Sequence, residues 1–210
     1  MRILMPVILL TTTAAGLAQT WEAGGAAGGS VSRTVGVSNP LQQASAGLAS
    51  GAAFGAVLGQ NIHRTVSGEI RYTFQPGEIQ VASGGKRTGF RSQFHTIHYD
   101  LLFHTRPEGS PVRPFLAAGG GGRIFKGTGK EAAYQPLQEY ALLTKTREWK
   151  PMASVGGGVK ITISPRIFLR VEFRDYISPF PKQVIAPADG SKISGWLHSV
   201  VPLVGISVLL

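Results

Sequence analysis

The chain has 210 residues, of which 28 are glycine; 43% are hydrophobic and only 15% are charged, which excludes a disordered tail and suits one domain, or two at most. The 21 Lys and Arg residues against 11 Asp and Glu give a net charge of +10, which suits nucleic acid, an anionic lipid surface or an acidic ligand without separating them. The absence of cysteine excludes disulfides, cysteine-held zinc, iron–sulfur clusters and thiol nucleophiles, and no run of about 18 apolar residues predicts a transmembrane helix.

The N-terminal segment has the pattern of a secretory signal. Arg2 precedes an apolar stretch, Ile3 to Leu10, and the segment ends in the small residues Gly16-Leu17-Ala18. Because signal peptidase recognises small residues at such positions, we predict a signal peptide over 1–18, cleaved near Ala18, and a single exported domain over 19–210. A buried N-terminal helix is the alternative.

Apolar and polar residues alternate along most of the remaining chain, which predicts strands rather than amphipathic helices. In Val66 to Phe74, for example, Ile70 and Tyr72 share one parity while Glu69 and Arg71 share the other. Each stretch is about as long as the 9 to 11 residues that a tilted transmembrane strand needs. The predicted strands are, in chain order, Trp21 to Gly29, Ala46 to Gln60, Val66 to Phe74, Gln93 to His104, Arg113 to Phe125, Val155 to Ile163, Ile167 to Phe173 and the segment that ends at Leu210.

Short and long connections alternate between these strands. Short turns are predicted at 61–64, 105–111 and 164–166, and longer polar loops at 30–43, 76–91, 128–148 and 178–194. This asymmetry is typical of bacterial outer-membrane barrels, whose turns lie in the periplasm and whose loops face outward. Strands in lipid must also close on themselves, because no backbone N–H or C=O can stay unpaired there. The sequence therefore predicts an all-β fold, an eight-stranded antiparallel up-and-down transmembrane β-barrel, and a monomer.

The charged parity of these strands is predicted to face the lumen, because a Lys or Arg facing hydrocarbon costs about 2 to 4 kcal/mol at the midplane. Across so narrow a lumen we expect Glu69 to pair with an arginine of the seventh predicted strand, or Arg71 with Glu172, and glycines to make room for the long side chains. This predicts a lumen plugged by charged side chains, with a small gated pore as the alternative. The predicted lumenal charge network is Glu69, Arg71, His98, Asp100, Lys160, Arg170, Glu172 and Arg174.

The rims carry aromatic and basic residues. The aromatics are predicted to form two interfacial belts. The loop-end belt consists of Tyr72, Phe74, Phe94, Trp149, Tyr176 and Trp196, and the turn-end belt of Trp21, Phe103 and Phe168. We predict that Arg87, Arg91 and Lys150 contact anionic head groups of the outer leaflet, such as lipopolysaccharide, with a merely solvated basic surface as the alternative. Pro202 inside the last strand predicts a bulge or a late strand start.

Signals for catalysis or ligand binding are weak. His98 and Asp100 share a strand face and, with His104, could form a base with its orienting acid or a set of metal ligands. The sequence places no serine nucleophile or third ligand beside them, and Gly119 to Gly122 lacks the features of a phosphate-binding loop. We therefore predict no enzyme activity, no cofactor and no metal. Export and the lack of a basic stripe with stacking aromatics argue against nucleic-acid binding.

The chain resembles the small eight-stranded outer-membrane barrels, the porin-like family grouped with the membrane domain of outer-membrane protein A. The resemblance covers Trp21 to Leu210. It rests on Gly55-Ala56-Val57-Leu58-Gly59 leading into Gly68-Glu69-Ile70-Arg71-Tyr72, on Arg170-Val171-Glu172-Phe173-Arg174 and on the alternating C-terminal strand, which ends in Leu210 where members usually have an aromatic residue.

That resemblance implies a protein of the bacterial outer membrane, surrounded by outer-membrane lipid and inserted by the barrel-assembly machinery. It implies a role in envelope integrity or surface interaction. A small gated porin is the first alternative, and a lipid-modifying barrel enzyme is a weaker one. A soluble lipocalin-like ligand carrier also stays open, because strand periodicity alone cannot tell the inside of a barrel from the outside.

Overall fold

The structure, a computed structural model, describes residues 21–38 and 43–210. The predicted signal peptide over 1–18 lies outside the described residues. Within the described ranges, no helix is long and apolar enough to span a membrane. The described strands are β1 (Trp21–Ser32), β2 (Val35–Ser38), β3 (Gln43–Leu48), β4 (Gly51–His63), β5 (Val66–Ser83), β6 (Lys86–His104), β7 (Val112–Gly127), β8 (Ala141–Leu143), β9 (Arg147–Ser164), β10 (Ile167–Pro179), β11 (Ile185–Pro187), β12 (Lys192–Ile193) and β13 (Trp196–Leu209).

The eight long strands close into an antiparallel barrel. The order around the ring is β1, β4, β5, β6, β7, β9, β10 and β13, and β13 pairs back with β1. The ring therefore has no free sheet edge, as a sheet surrounded by lipid requires. This confirms the predicted fold class. We call the end with the short β4–β5, β6–β7 and β9–β10 connections the turn end, and the opposite end the loop end.

The outer face of the barrel is apolar and the inner face is charged. Ile70 is 50% exposed on the outer face of β5, whereas the next residue, Arg71, is 0% exposed inside. The same alternation places Val204 and Ile206 of β13 outside and Leu203 inside. A soluble carrier would need the opposite arrangement, so the apolar exterior fits lipid and not water.

Strands β5 and β6 continue far beyond the length that crosses a membrane. They have 18 and 19 residues, which corresponds to about 60 Å at about 3.3 Å per residue. Their hairpin turn is made by Gly84 and Gly85, whose φ angles of 54° and 77° favour glycine. The predicted loop over 76–91 is therefore wrong, since this segment continues two paired strands.

The other long connections build on this extended hairpin. Strand β3 pairs with β5 on the loop-end side of β4. The strand predicted over 46–60 is therefore divided at Ala49 and Ser50. Strands β2 and β12 extend the sheet beyond β3, and β8 pairs with β11. We call the described residues of 33–50, 76–94, 125–148 and 180–197 the cap.

The cap has its own apolar core. Its side chains come from all of the long connections and from the upper parts of β5, β6 and β7, and each is buried. Burial of apolar area against water stabilises such a cluster by about 25 cal/mol per Å². The cluster consists of Val35, Val37, Ala44, Ala46, Leu48, Ile79, Val81, Phe90, Phe94, Phe125, Leu137, Tyr140, Ala141, Leu143, Phe180, Val184, Ile185, Ile193 and Leu197.

Two further expectations are corrected. Strand β13 begins at Trp196 and keeps its register with β10 through Pro202, so neither a bulge nor a late start occurs. The missing donor instead leaves a gap in the ladder to β1, between the Gly28–Leu203 and Val31–Val200 pairs.

The loop-end aromatic belt is smaller than predicted. Phe94 and Tyr176 are 2% and 0% exposed, because their strand parity turns them inward, away from lipid. Tyr72, Trp149 and Trp196 are exposed on the outer face.

Candidate functional site

The barrel lumen brings together all eight residues of the predicted lumenal charge network. Each residue of the set is at most 4% exposed. Strand β5 supplies Glu69 and Arg71, β6 supplies His98 and Asp100, β9 supplies Lys160, and β10 supplies Arg170, Glu172 and Arg174. They share a face because inward side chains recur at every second residue of a strand.

The centre of the lumen is a network of ion pairs between β5 and β10, which lie on opposite sides of the ring. Arg71 Nη2 donates to Glu172 Oε2 at 3.0 Å, and Arg170 Nη2 donates to Glu69 Oε2 at 2.8 Å. Arg174 Nη2 binds the same two carboxylates, at 3.2 Å from Glu69 and 3.1 Å from Glu172. Both pairings expected from the sequence are therefore present, and three guanidinium groups share two carboxylates.

Glycines provide the space for this network. The cross-strand partner of Glu172 is Gly158, and the partner of Arg174 is Gly156. A Cβ atom at Gly158 would lie 2.6 Å from the Cβ of Glu172, and one at Gly156 would lie 2.8 Å from Arg174 Cδ. Larger residues at these two positions would displace the ion pairs, because the surrounding side chains are already in contact.

Toward the turn end the network continues through Glu22 of β1. Lys160 Nζ donates to Glu22 Oε2 at 2.8 Å, and Arg170 Nη1 donates to Glu22 Oε1 at 3.2 Å. A cavity of about 270 Å³ opens beside these groups, and Arg113 also lines it. The sequence analysis missed Glu22, because the glycines and alanines around it alternate too weakly to assign a face.

The histidine and acid pair singled out in the sequence lies together in the lumen, with His98 Nε2 3.3 Å from Asp100 Oδ2. Asp100 Oδ2 accepts a hydrogen bond from Arg174 Nη1 at 2.7 Å and one from Ser154 Oγ at 3.4 Å. Ser154 therefore donates to Asp100 and not to His98. His104 binds Ser67 Oγ at 2.9 Å. Among the described residues, no three His, Cys, Asp or Glu side chains are grouped to hold a metal ion.

A polar layer separates the ion-pair network from the cap. Its centre is Arg123 of β7, which is 0% exposed and donates to Ser199 Oγ and to Gln75 Oε1, each at 3.0 Å. The guanidinium carbon also lies 5.0 Å and 5.7 Å from the ring centres of Phe125 and Phe94. The sequence analysis did not assign Arg123 to the lumen, because the glycine-rich strand around it shows no clear faces.

The three predicted head-group residues differ in position. Arg87 and Arg91 are exposed on the outer face of the β5–β6 hairpin, in the cap. Lys150 is a correction: it lies on the inner parity of β9, and its Nζ is 2.7 Å from Glu148 Oε1.

A row of polar residues that the prediction did not single out crosses the outer face of β6, β7 and β9. Gln93 pairs with Lys126, and Lys126 pairs with Arg147. Trp149 occupies the next outward position below Arg147 and is exposed. A basic pair directly above an outward tryptophan is the arrangement expected at a membrane interface.

The comparisons with known proteins agree on the fold. No family model and no curated protein matches the sequence. Among solved structures, the chain is similar to Neisserial surface protein A (NspA), with a TM-score of 0.53 at 15% identity over 90% of this chain and 96% of that chain. It is also similar to the outer membrane protein AlkL, with a TM-score of 0.53 at 11% identity over 100% of this chain and 97% of that chain.

A weaker likeness is to the outer membrane protease OmpT from Escherichia coli, with a TM-score of 0.49 at 10% identity over 93% of this chain and 99% of that chain, and it carries no argument about activity. The prediction that the chain is not an enzyme stays a prediction. At these identities the similarities to NspA and AlkL show the fold alone. The chain has the fold of the small outer-membrane β-barrels.

Proposed function

We propose that this protein is a closed barrel of the bacterial outer membrane that supports envelope integrity and presents its cap for surface interactions. The observation that carries the proposal is the network of Glu69, Arg71, Arg170, Glu172 and Arg174, which joins opposite walls of the lumen. Fully buried ion pairs with several hydrogen bonds hold their geometry, since separating them would leave uncompensated charges. The lumen is then filled and not open to solutes.

The orientation follows from the two ends of the barrel. The turn end faces the periplasm and the cap faces the exterior, as in other outer-membrane barrels. Export by the N-terminal signal and insertion by the barrel-assembly machinery complete this proposal, with the protein acting as a monomer. No catalytic role is proposed, because Ser154 and His98 are not arranged as nucleophile and base.

Planar-bilayer recording tests the proposal. The purified protein should show no steady conductance, because the charged side chains occupy the lumen. Glu172→Gln weakens the acceptor shared by Arg71 and Arg174, so this variant should show brief small openings. Tyr134→Ala, which changes an exposed side chain of the cap, is the matched control and should stay silent. Steady ion flow through the unmodified protein would establish the porin alternative instead.

A second proposed property is binding of anionic lipid head groups by the outer face. The row of Gln93, Lys126 and Arg147 above Trp149 supports it, because these side chains lie on the outer face next to the aromatic level. Arg91 is one outward position further from the membrane, and Arg87 is about 20 Å further along the strand than Gln93. We therefore assign the strongest contact to Lys126 and Arg147.

Thermal unfolding separates this property from a merely solvated basic surface. The midpoint should be higher in micelles that contain lipopolysaccharide than in neutral detergent. Changing Lys126 and Arg147 together to Gln should remove most of that difference. Arg87→Gln, a cation near the hairpin turn, should leave it unchanged. Equal midpoints of the unmodified protein in both media would contradict head-group binding.

A further inference from the structure

The positive charge of Arg123 is not balanced by a carboxylate. The central arginines, Arg71, Arg170 and Arg174, each contact one or more carboxylates. Among the described residues, no Asp or Glu oxygen lies within 4.0 Å of Arg123, whose partners are the neutral Ser199 and Gln75. A buried cation in this position is costly unless an opposite charge accompanies it.

The neighbouring carboxylates already have other partners. On the inner face, Glu148 binds Lys150 and Asp100 binds Arg174. On the outer face of β10, Asp175 binds His198 at 2.8 Å. None of these three carboxylates forms an ion pair with Arg123.

The same layer contains buried donors without an acceptor. Three such groups belong to Arg123 and to two residues next to it: Nε of Arg123, Nε2 of Gln75 and Oγ1 of Thr96. Thr96 is the direct cross-strand partner of Arg123, and Gln75 already accepts from Arg123 Nη2. Buried N–H and O–H groups are almost always paired, so a cluster of unpaired donors beside a cation is suited to binding an anion.

The side chains around Arg123 determine which kind of hydrogen-bond acceptor fits beside it. Phe94 and Phe125 contact each other edge to face, with ring centres 5.7 Å apart, on the cap side of Arg123. Tyr176 and Thr73, joined by a hydrogen bond of 3.0 Å, lie toward the ion-pair network. The layer is thus enclosed by rings and short polar side chains, which favours a small acceptor over a lipid head group.

We propose that the polar layer binds one monovalent anion, chloride, beside Arg123. The Nε–H of Arg123, the side-chain amide N–H of Gln75 and the hydroxyl of Thr96 donate to it. The bound chloride balances the positive charge of Arg123 between the ion-pair network and the cap, and it forms part of the folded interior. This site is independent of the proposed head-group contacts, which lie on the outer face of β7 and β9.

Chloride dependence of unfolding tests the site. The detergent-solubilised protein is unfolded at constant ionic strength while gluconate replaces chloride. The midpoint of the unmodified protein should rise with chloride concentration, because a ligand that binds only the folded state stabilises it by mass action. Arg123→Gln should remove this rise. The control variant Lys130→Gln, which removes an exposed cation of the cap, should keep it.

A second variant supplies the missing charge from the protein itself. Gln75→Glu would place a carboxylate on Arg123 Nη2, where the amide oxygen now lies at 3.0 Å. This variant should unfold at the same midpoint in chloride and in gluconate, and in gluconate its midpoint should exceed that of the unmodified protein. Gln75→Glu also tests the chloride site if the Arg123→Gln variant does not fold.

The outcomes that overturn the proposal are equally specific. A midpoint of the unmodified protein that does not respond to chloride would assign the unpaired donors to water. A chloride response that persists in Gln75→Glu would place the anion elsewhere. In crystals grown with bromide, an anomalous peak within hydrogen-bond distance of Arg123 Nε supports the site, and its absence at full bromide exchange contradicts it.

Discussion

The lumen and the cap are built on the same strands, yet their polarity is reversed. On β5, Arg71 and Val81 both point inward and both are 0% exposed. Around Arg71 the interior is charged and the exterior apolar, whereas around Val81 the interior is apolar and the exterior polar. The reversal occurs near Pro76 and Gly77, without a break in the pairing of β5 with β6.

The difference teaches that the surrounding solvent decides which face of a strand carries which residues. In lipid, burying an apolar side chain brings little gain, so the interior is held by ion pairs and hydrogen bonds. In water, burying Ile79 or Val81 removes apolar area from solvent, and the usual hydrophobic core forms. The position of the reversal thus marks the level at which β5 leaves the hydrocarbon region.

The largest effect is expected from removing one partner of the lumenal network. Glu69→Ala leaves Arg170 and Arg174 with fewer acceptors and should lower the free energy of unfolding by about 3 to 5 kcal/mol. The measurement is urea unfolding of the folded protein in detergent. Glu78→Ala on the same strand, in the exposed part of the cap, is the control and should change stability by less than about 0.5 kcal/mol. Equal stability of the two variants would mean that the lumenal pairs contribute nothing.

A cavity in the apolar core of the cap should destabilise the cap and leave the barrel folded. Ile79→Ala removes a buried side chain from the apolar core of the cap and should destabilise that region by about 2 to 5 kcal/mol. Because the barrel below is held by its own pairing, its heat-modifiable gel mobility should stay unchanged while protease cleaves the cap faster. Loss of the folded band together with the cap would show that the two regions unfold as one unit.

A charge placed on the outer face should distinguish lipid from water along β5. Ile70→Lys should cost about 2 to 4 kcal/mol, since this outward position faces hydrocarbon. Gln80→Lys, on the same strand and parity but in the cap, should cost less than about 0.5 kcal/mol. Refolding yield into lipid vesicles and urea midpoints measure both. Similar losses of stability at the two positions would mean that the reversal of polarity along β5 does not mark the membrane boundary.

Labelling of single cysteines on intact cells tests the orientation of the barrel, and stability is not the measured quantity. Gly84→Cys in the β5–β6 hairpin and Gly109→Cys in the β6–β7 connection are a matched pair, since both glycines have positive φ and open space around them. A membrane-impermeant thiol reagent should label the first on intact cells and the second only after the cells are lysed. Labelling of Gly109→Cys on intact cells would invert the proposed orientation.

Local periodicity was sufficient to predict which residues of β5 and of β10 share a face. The parity of Glu69, Arg71 and Glu172 follows from the alternation of side chains alone. The alternation was no longer a guide where the apolar residues change from the outward to the inward face of β5. For this reason the sequence predicts a loop over 76–91, where the structure has paired strands. The alternation also failed in the glycine-rich strands, where Glu22 and Arg123 have few apolar neighbours that define a face.

The sequence by itself determined the fold class, the number of barrel strands and which residues of a strand share a face, because these depend on residues close together in the chain. Only the tertiary structure decided which charges meet. Contacts such as Arg71 with Glu172 and Lys160 with Glu22 join strands far apart in sequence, and they depend on ring closure and on the stagger between strands. The enclosure of Arg123 was decided in the same way, since Ser199 and Gln75 reach it from other walls of the ring.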